Sequence, residues 1–386
     1  MLSEITFLVM THSFRLKFHK WLILTVSWVV IGALMATYLH LYIGGEFIVA
    51  TKNYDFLSSL VTGMFGGLLG GLLGGSVMIF VLDEKYKNRP FAFKILMNVL
   101  FVMLVILVVN IIISVLFYLV LMDDSFNVGL FEIIYERIWS RDHLVSQVTW
   151  LTIVSVTTFA FGIVDSFGPH VFVDMLFGKY HRPFAEQRIF MFLDLKSSTA
   201  IAEHLGHNKY FGFLQEFYSD ITNPVMDAQG RIYQYVGDEV VLSWDMHSGI
   251  TNQHCLNCFF MIRKEIDGHK QKYIDKYGVV PKFKAGLHYG RVTTGEVGIM
   301  KKDIIHTGDV LNTAARIEKQ CNWLNVELLV SRELIDLLGD GGKFQYVSMG
   351  KINLRGKSEM IELVGVSKGL KVERKLDAAT AGALQV

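Results

Sequence analysis

Three cysteines in 386 residues cannot build a disulfide framework. Cys255 and Cys258 form a C-x-x-C beside His254, but there is no second cysteine pair to complete a zinc site. Their segment has the pattern of a helix following a strand, so both are read as ordinary helix residues in a reducing compartment. Net charge is equally scarce. The 37 basic and 36 acidic residues leave +1, so bulk charge points to no nucleic acid or other polyionic partner. A third scarcity is local: four long runs in the first half hold almost no charge. No ladder of acids or bases crosses any of them, which argues against an ion or proton pathway. The first run is too long for a signal peptide, and no small-residue cleavage site is apparent.

What is abundant is apolar surface, at 52% of residues. It concentrates in Trp21–Ile43, Leu57–Leu82, Ile95–Met122 and Val148–Val164. The first three runs are long enough to cross a bilayer and the fourth is adequate. Arg15, Lys17 and Lys20 precede the first run. Lys85, Lys87, Arg89 and Lys94 lie between the second and third, and Lys179, Arg182 and Arg188 follow the fourth. Basic residues stay on the cytoplasmic side. The expectation is a multi-pass protein of the inner (plasma) membrane with both termini cytoplasmic. In the second run, Gly63, Gly67, Gly71 and Gly75 repeat every four residues, as do Gly66, Gly70 and Gly74. Small residues on one helix side let another backbone approach closely. The stretch F-E-I-I-Y-E-R-I-W in the outer loop Asp123–Ser146 is amphipathic and reads as a connecting helix.

From Ile189 the pattern alternates between strands and helices. Strand Ile189–Leu193 leads to a helix from about Ser197 to Met226, with Ser197 or Ser198 as its cap. Strands Ile232–Val236 and Val240–Trp244 flank a tight turn at Gly237–Asp238–Glu239. A helix over about Asn252–Tyr277 follows. Then come strand Lys282–Tyr289, a glycine-rich turn region to Gly298, strand Asp303–His306 and a helix. Strands near Glu327–Val330, Phe344–Met349 and Met360–Gly365 close the chain. This is an α+β domain with a ferredoxin-like β-α-β-β-α-β core. The expected division is a four-span α-helical membrane domain at 1–165, a connector at 166–188, this α+β domain at 189–370 and a tail at 371–386. Asp194 and Asp238 each stand at or beside the end of an apolar strand. Two such carboxylates can hold Mg²⁺ with few protein ligands, leaving positions for water and phosphates.

Four segments in order, F-L-D-L-K-S-S-T, Y-V-G-D-E-V, G-L-H-Y-G-R-V-T-T-G-E-V-G and G-D-V-L-N-T-A-A-R-I-E, resemble the class III nucleotidyl cyclases. The resemblance spans roughly Arg188 to Val366. It implies a phosphorus–oxygen lyase in which the ribose 3′-hydroxyl attacks the α-phosphate and pyrophosphate leaves. It makes Asp194 and Asp238 the ligands of two Mg²⁺ or Mn²⁺ ions, and Asn312 and Arg316 the catalytic pair, one orienting ribose and the other stabilising charge on the α-phosphoryl group. Backbone N–H groups of Leu195, Lys196, Ser197, Ser198 and Thr199 would cradle phosphate. Arg355 aligns with the family's phosphate-binding lysine, with Lys357 two residues on. The base-selecting positions fall at Gln234, just before Gly237, and at Ile305, with Thr307 nearby.

In this family the metal aspartates and the Asn/Arg pair meet from opposite subunits, so the resemblance implies a homodimer with two equivalent sites. Gln234 donates and accepts hydrogen bonds and does not choose a base. ATP is the expected substrate because adenylate cyclases are the commoner kind in bacterial membranes. GTP or a pyrimidine nucleotide is the alternative. A silent nucleotide-sensing or dimerising module beneath a membrane receptor is a second reading, against which the four matched residues speak. A diguanylate cyclase, suggested by Gly237–Asp238–Glu239, has no place for the Asn/Arg helix.

Overall fold

The computed structural model describes residues 12–43, 56–86, 89–121, 135, 141–167, 174, 178–300, 302–339, 341–355, 357 and 359–368. The expected tail at 371–386 and, apart from Tyr135, the amphipathic outer-loop stretch lie outside these residues. The chain divides into two compact units after Leu176.

The N-terminal unit contains α1 (His12–Ile43), α2 (Phe56–Lys85), α3 (Phe91–Leu121) and α4 (Arg141–Phe167). Among the described residues, three helical stretches are long and apolar enough to cross a membrane: Lys17–Leu41, Phe56–Lys85 and Gln147–Val164. The apolar stretch Ala92–Val108 lies in α3, which continues as helix to Leu121. The expected second span is not a uniform α-helix, because Gly70–Gly74 and Met78–Leu82 are π-helical. Its first glycine row packs within the chain. A Cβ at Gly63 would lie 2.6 Å from the Gly32 carbonyl oxygen, and one at Gly67 2.3 Å from that of Trp28. Only glycine lets α1 and α2 approach this closely.

The C-terminal unit runs β1 (Phe184–Leu195), α5 (Ser198–Leu205), α6 (His207–Asp227), β2 (Arg231–Val236), β3 (Glu239–Asp245), α7 (Met246–Ile250), α8 (His254–Gly268), α9 (Lys270–Tyr277), β4 (Phe283–Val297), β5 (Asp303–Thr307), α10 (Asp309–Trp323), β6 (Leu328–Ser331), α11 (Arg332–Leu338), β7 (Gln345–Ile352) and β8 (Ile361–Ser367). The strands form one sheet ordered β2-β3-β1-β4-β6-β8-β7, with β5 on the distal part of β4. β1 is antiparallel to β3 and β4, while β4 and β6 are parallel, so the sheet is mixed. The first four strands in order β2-β3-β1-β4 are the ferredoxin-like core.

Alternation along β1 explains the two layers. Ile189, Met191, Leu193 and Leu195 enter the large core with Phe213, Phe217, Phe259 and Tyr273. Phe190 and Phe192 face Val310 and Ala314 of α10 on the other side. Cys255 and Cys258 are free and buried in the large core, where burial pushes the Cys255 thiol up to about 12. They are core residues of α8.

Several boundaries differ from expectation. β1 begins at Phe184, because Phe184–Arg188, expected in the connector, pairs with Gly290–Thr294. The glycine-rich stretch after Tyr289 therefore continues β4. The helix expected from Ser197 breaks at Gly206, whose φ of +73° suits glycine. The second long helix is likewise divided into α8 and α9, with α7 before them.

α9 clamps α6 through two carboxylates, Glu216 and Asp220, the second accepting from the Tyr273 hydroxyl at 2.8 Å. Glu216 receives Lys272 Nζ at 2.8 Å, Lys276 Nζ at 2.7 Å and the Tyr277 hydroxyl at 2.8 Å. Burial alone would push this carboxyl up, but these three donors outweigh it and hold Glu216 at about 2. A carboxylate with a depressed folded-state pKa stabilises the fold above its unfolded pKa and loses that contribution as pH falls. Glu216→Gln is expected to melt below wild type at pH 7, and the gap should close between pH 4.5 and 2. Thermal melts of the full chain across that range check it; a gap independent of pH contradicts it.

Candidate active site

The site starts where β1 ends. Asp194 is paired in register with Glu239, the first residue of β3. The two-residue turn Gly237–Asp238 joins β2 to β3, with Gly237 at φ +64°. Tyr218 on α6 donates its hydroxyl to the Gly237 carbonyl at 2.7 Å and pins this turn. Asp238 is thereby brought to Asp194, close enough to affect its proton affinity. Asp194 sits above the usual carboxylate range: burial raises it, Lys284 opposes, and Asp238 adds to the rise. Glu239 is pushed up to about 7 by burial and by the charges of Glu318 and Asp194.

One cation lies inside this acidic group. Lys284 on β4 places Nζ 3.1 Å from Asp194 Oδ2 and 2.6 Å from Glu318 Oε1 on α10. The Lys284 and Glu318 side chains are 7% and 2% exposed. Gly286 makes their contact sterically possible, since a Cβ there would lie 2.2 Å from the Glu318 backbone nitrogen. Burial pulls the Lys284 ammonium down, but Glu318 and Asp194 outweigh it and hold it above the ordinary lysine value. Two carboxylates contact this ammonium, Asp238 acts on Asp194, and Glu239 feels both Asp194 and Glu318, with the exposed Lys319 opposing from the side. Carboxylate oxygens suit a hard divalent cation such as Mg²⁺ or Mn²⁺. No group of three or more metal-ligating side chains converges among the described residues.

α10 carries the other predicted pair. Asn312 is exposed and Arg316 half-buried, while Val310, Thr313, Ala314, Ile317 and Glu318 are buried. At about 100° per residue, Asn312 and Arg316 share a face, whereas Arg316 and Glu318 lie about 160° apart. Glu318 points to the chain's own Lys284 and Asp194, so Arg316 points away from them.

Of the expected phosphate cradle, Lys196 is committed elsewhere. Its N–H donates to the Lys282 carbonyl at 2.7 Å and its Nζ lies 3.5 Å from Glu327. Leu195 is a core residue. Ser197, at φ +59°, starts α5 but makes no side-chain cap, and Ser198 is already helical. The N–H groups of Ser197, Ser198 and Thr199 remain. Arg355 is exposed and makes no ion pair among the described residues. Lys357 instead forms an ion pair with Asp309 at the start of α10 and holds that carboxyl below its ordinary value.

Gln234 is exposed on β2, next to a register shift at Tyr233. Ile305 and Thr307 alternate with His306 along β5, and Thr307 donates to the Thr293 carbonyl at 3.3 Å. No hydrogen bond joins Gln234 to Ile305 or Thr307 among the described residues. A bridge between their strands does exist: the His306 N–H donates to the Tyr233 hydroxyl at 3.1 Å. Tyr218, Lys284, Glu318 and Tyr233 are site-building residues that motif reading missed. A lysine inside the apolar strand F-K-A-G-L was the one available signal.

Residues 183–364 match the family model described as the adenylate and guanylate cyclase catalytic domain. Adenylate cyclase 2 of Rhizobium meliloti (strain 1021) is 30% identical over 211 residues, 55% of this chain and 58% of the relative. Adenylate cyclase 1 of the same organism is 24% identical over 197 residues, 50% of this chain and 29% of the relative. The chain thus spans under two thirds of the length of these curated relatives. The crystal structure of the adenylyl cyclase CyaB from P. aeruginosa is 19% identical with a TM-score of 0.43, over 51% of this chain and 100% of that one.

Proposed function

We propose, from the premise that residues 183–364 are a class III nucleotidyl cyclase catalytic domain, that this protein is a membrane-anchored cyclase converting ATP to cyclic AMP and pyrophosphate. The observation that carries the reading is the divided geometry of α10. Its buried face ties Glu318 to the acidic centre through Lys284, while Asn312 and Arg316 face away from that centre. A cation-demanding half-site lacks its own arginine, and a second copy related by twofold symmetry supplies one.

Asp194 and Asp238 would hold the divalent ions, which lower the pKa of the 3′-hydroxyl and neutralise the triphosphate. The reaction forms the bond from O3′ to the α-phosphorus. It breaks the bond from that phosphorus to the bridging oxygen, and the 3′-hydroxyl proton is lost. Asn312 from the partner copy orients the ribose. Arg316 meets the charge that grows on the α-phosphoryl oxygens, a contact stronger in the transition state than in the ground state. The N–H groups of Ser197–Thr199 take phosphate oxygens, and Lys357, close to Arg355, brings positive charge to the start of α10. The apolar helices anchor the chain in the inner membrane, with the catalytic unit on the cytoplasmic side.

The test offers the full-length protein ATP, GTP, CTP and UTP separately with Mn²⁺ or Mg²⁺ and identifies the product by mass. Cyclic AMP from ATP is expected. Turnover of another nucleotide instead of ATP overturns the base assignment, and no turnover with any of the four overturns the enzyme. GTP is the second reading, because the exposed Gln234 amide can serve either purine.

A further inference from the structure

All four helices of the N-terminal unit line one cavity of about 410 Å³, inside the range of about 300–1,000 Å³ typical of small-molecule sites. Its polar wall comes from three of them. Lys17 Nζ on α1 lies 2.9 Å from Glu84 Oε2 on α2, and Lys20 Nζ lies 4.0 Å from Asp83 Oδ2. Lys94 on α3 also lines the cavity and has no ion-pair partner among the described residues. Among the described lining residues three lysines stand with two acids, and Lys94 is the lysine with no acid of its own there.

The fourth helix adds an unsatisfied hydroxyl. On α4, Thr149, Thr152, Ser155 and Thr157 each donate to the carbonyl one turn back, which is how hydroxyls are satisfied in an apolar helix. Thr158 does not. It is 4% exposed, lines the cavity, and its Oγ1 has no hydrogen-bond partner among the described residues. Buried hydroxyls are normally paired, and an unpaired one asks for an explanation. Asn98, one turn beyond Lys94 on α3, is buried and lines the same space. The remaining wall is apolar: Leu24, Met78, Ile79 and Phe161. The lysines stand at the ends of the apolar stretches, Lys17 beginning the first.

We propose that this cavity binds the phosphate group of an anionic phospholipid, with Lys94 and the Thr158 hydroxyl on the phosphate oxygens and an acyl chain along Leu24, Met78, Ile79 and Phe161. The extra lysine among the described lining residues matches a single phosphodiester, and basic pockets between membrane helices at the cytoplasmic side suit such head groups. The polar end accounts for the unpaired lysine and hydroxyl, and the apolar wall favours a lipid over free phosphate. An occupant would tie α1, α2, α3 and α4 together. The site is independent of which nucleotide the catalytic unit uses.

Delipidated full-length protein in detergent is titrated with short-chain phosphatidylglycerol, short-chain phosphatidylcholine and inorganic phosphate, read by thermal shift and by the fluorescence of the tryptophans. Saturable binding of phosphatidylglycerol is expected, weakened about tenfold or more in Lys94→Gln. Lys94→Arg should retain it, and Thr158→Val should weaken it in the same direction. Phosphatidylcholine should not saturate over that range. A Lys94-dependent response to inorganic phosphate as strong as that to the lipid assigns the oxyanion site to a soluble phosphate and overturns the lipid. Equal lipid binding by wild type, Lys94→Gln and Thr158→Val overturns the site.

Discussion

Asp194→Ala and Arg316→Ala proteins, each slower than wild type by on the order of 10³-fold or more, are expected to regain about a quarter of wild-type activity when the two chains assemble together. Losing Asp194 removes a carboxylate from both sites of its homodimer. Losing Arg316 removes the transition-state cation from both sites of the other. In a mixed dimer one site joins the intact Asp194 of one chain to the intact Arg316 of its partner, and the second site lacks both. Random pairing of equal amounts makes half the dimers mixed, each with one working site of two. Co-expression with two affinity tags isolates the mixed dimer, whose activity per dimer should then be about half that of wild type. On α10, Arg316 and Glu318 point apart, and Glu318 belongs to the chain's own centre. A purified mixed dimer with no more activity than either parent contradicts the shared site. Full activity in Arg316→Ala alone removes the arginine from the chemistry.

What could be read without a structure was the chemistry carried in contiguous segments. Asp194 closes an apolar strand, Asp238 sits in a two-residue turn, and Asn312 and Arg316 are one helical turn apart. Each signal lies within a dozen residues. The linked pair Lys284 and Glu318 was not legible, because 34 positions separate them and their contact depends on how closely α10 crosses β4 at Gly286. Glycine also misled in the other direction. Gly290 and Gly295 suggested a turn, yet strand pairing with Phe184–Arg188 on one side and β5 on the other holds that stretch extended. In the second apolar run the same residue had two effects, a close seam against α1 and a π-helical turn at Gly70–Gly74. Which of Arg355 and Lys357 meets α10 depended on how the segment after β7 returns to Asp309, a long-range matter that local pattern does not encode.

The buried Lys284 has a second consequence, for stability. Lys284→Met is expected to destabilise the catalytic unit by about 3–5 kcal/mol, the cost of removing one partner from a buried ion pair. For a domain of this size that is a fall of roughly 6–20 °C in melting temperature. The cost arises because Glu318, 2% exposed, has no water to replace the ammonium and Asp194 is left facing Asp238. Glu318 already lies above its ordinary value: burial raises it, and Lys284 holds it back. Without Lys284 its folded-state pKa rises further, so more of the folding free energy goes to keeping it protonated or burying it charged. A carboxyl with a raised folded pKa disfavours folding once pH exceeds its unfolded value, and increasingly so up to the folded one. The deficit of Lys284→Met relative to wild type should therefore widen as pH rises from 4.5 toward neutrality. Replacing both partners, Lys284→Met with Glu318→Gln, removes the orphaned charge and should recover most of the loss. Calorimetry of the full chain, following the transition of the catalytic unit, distinguishes the outcomes. A single variant as stable as wild type, or a double variant no better than the single, contradicts a charge origin and leaves lost packing as the cause. The double variant also separates stability from catalysis. It should restore the fold without the buried pair, so any remaining change in divalent-ion affinity belongs to the Lys284–Glu318 pair and not to lost stability.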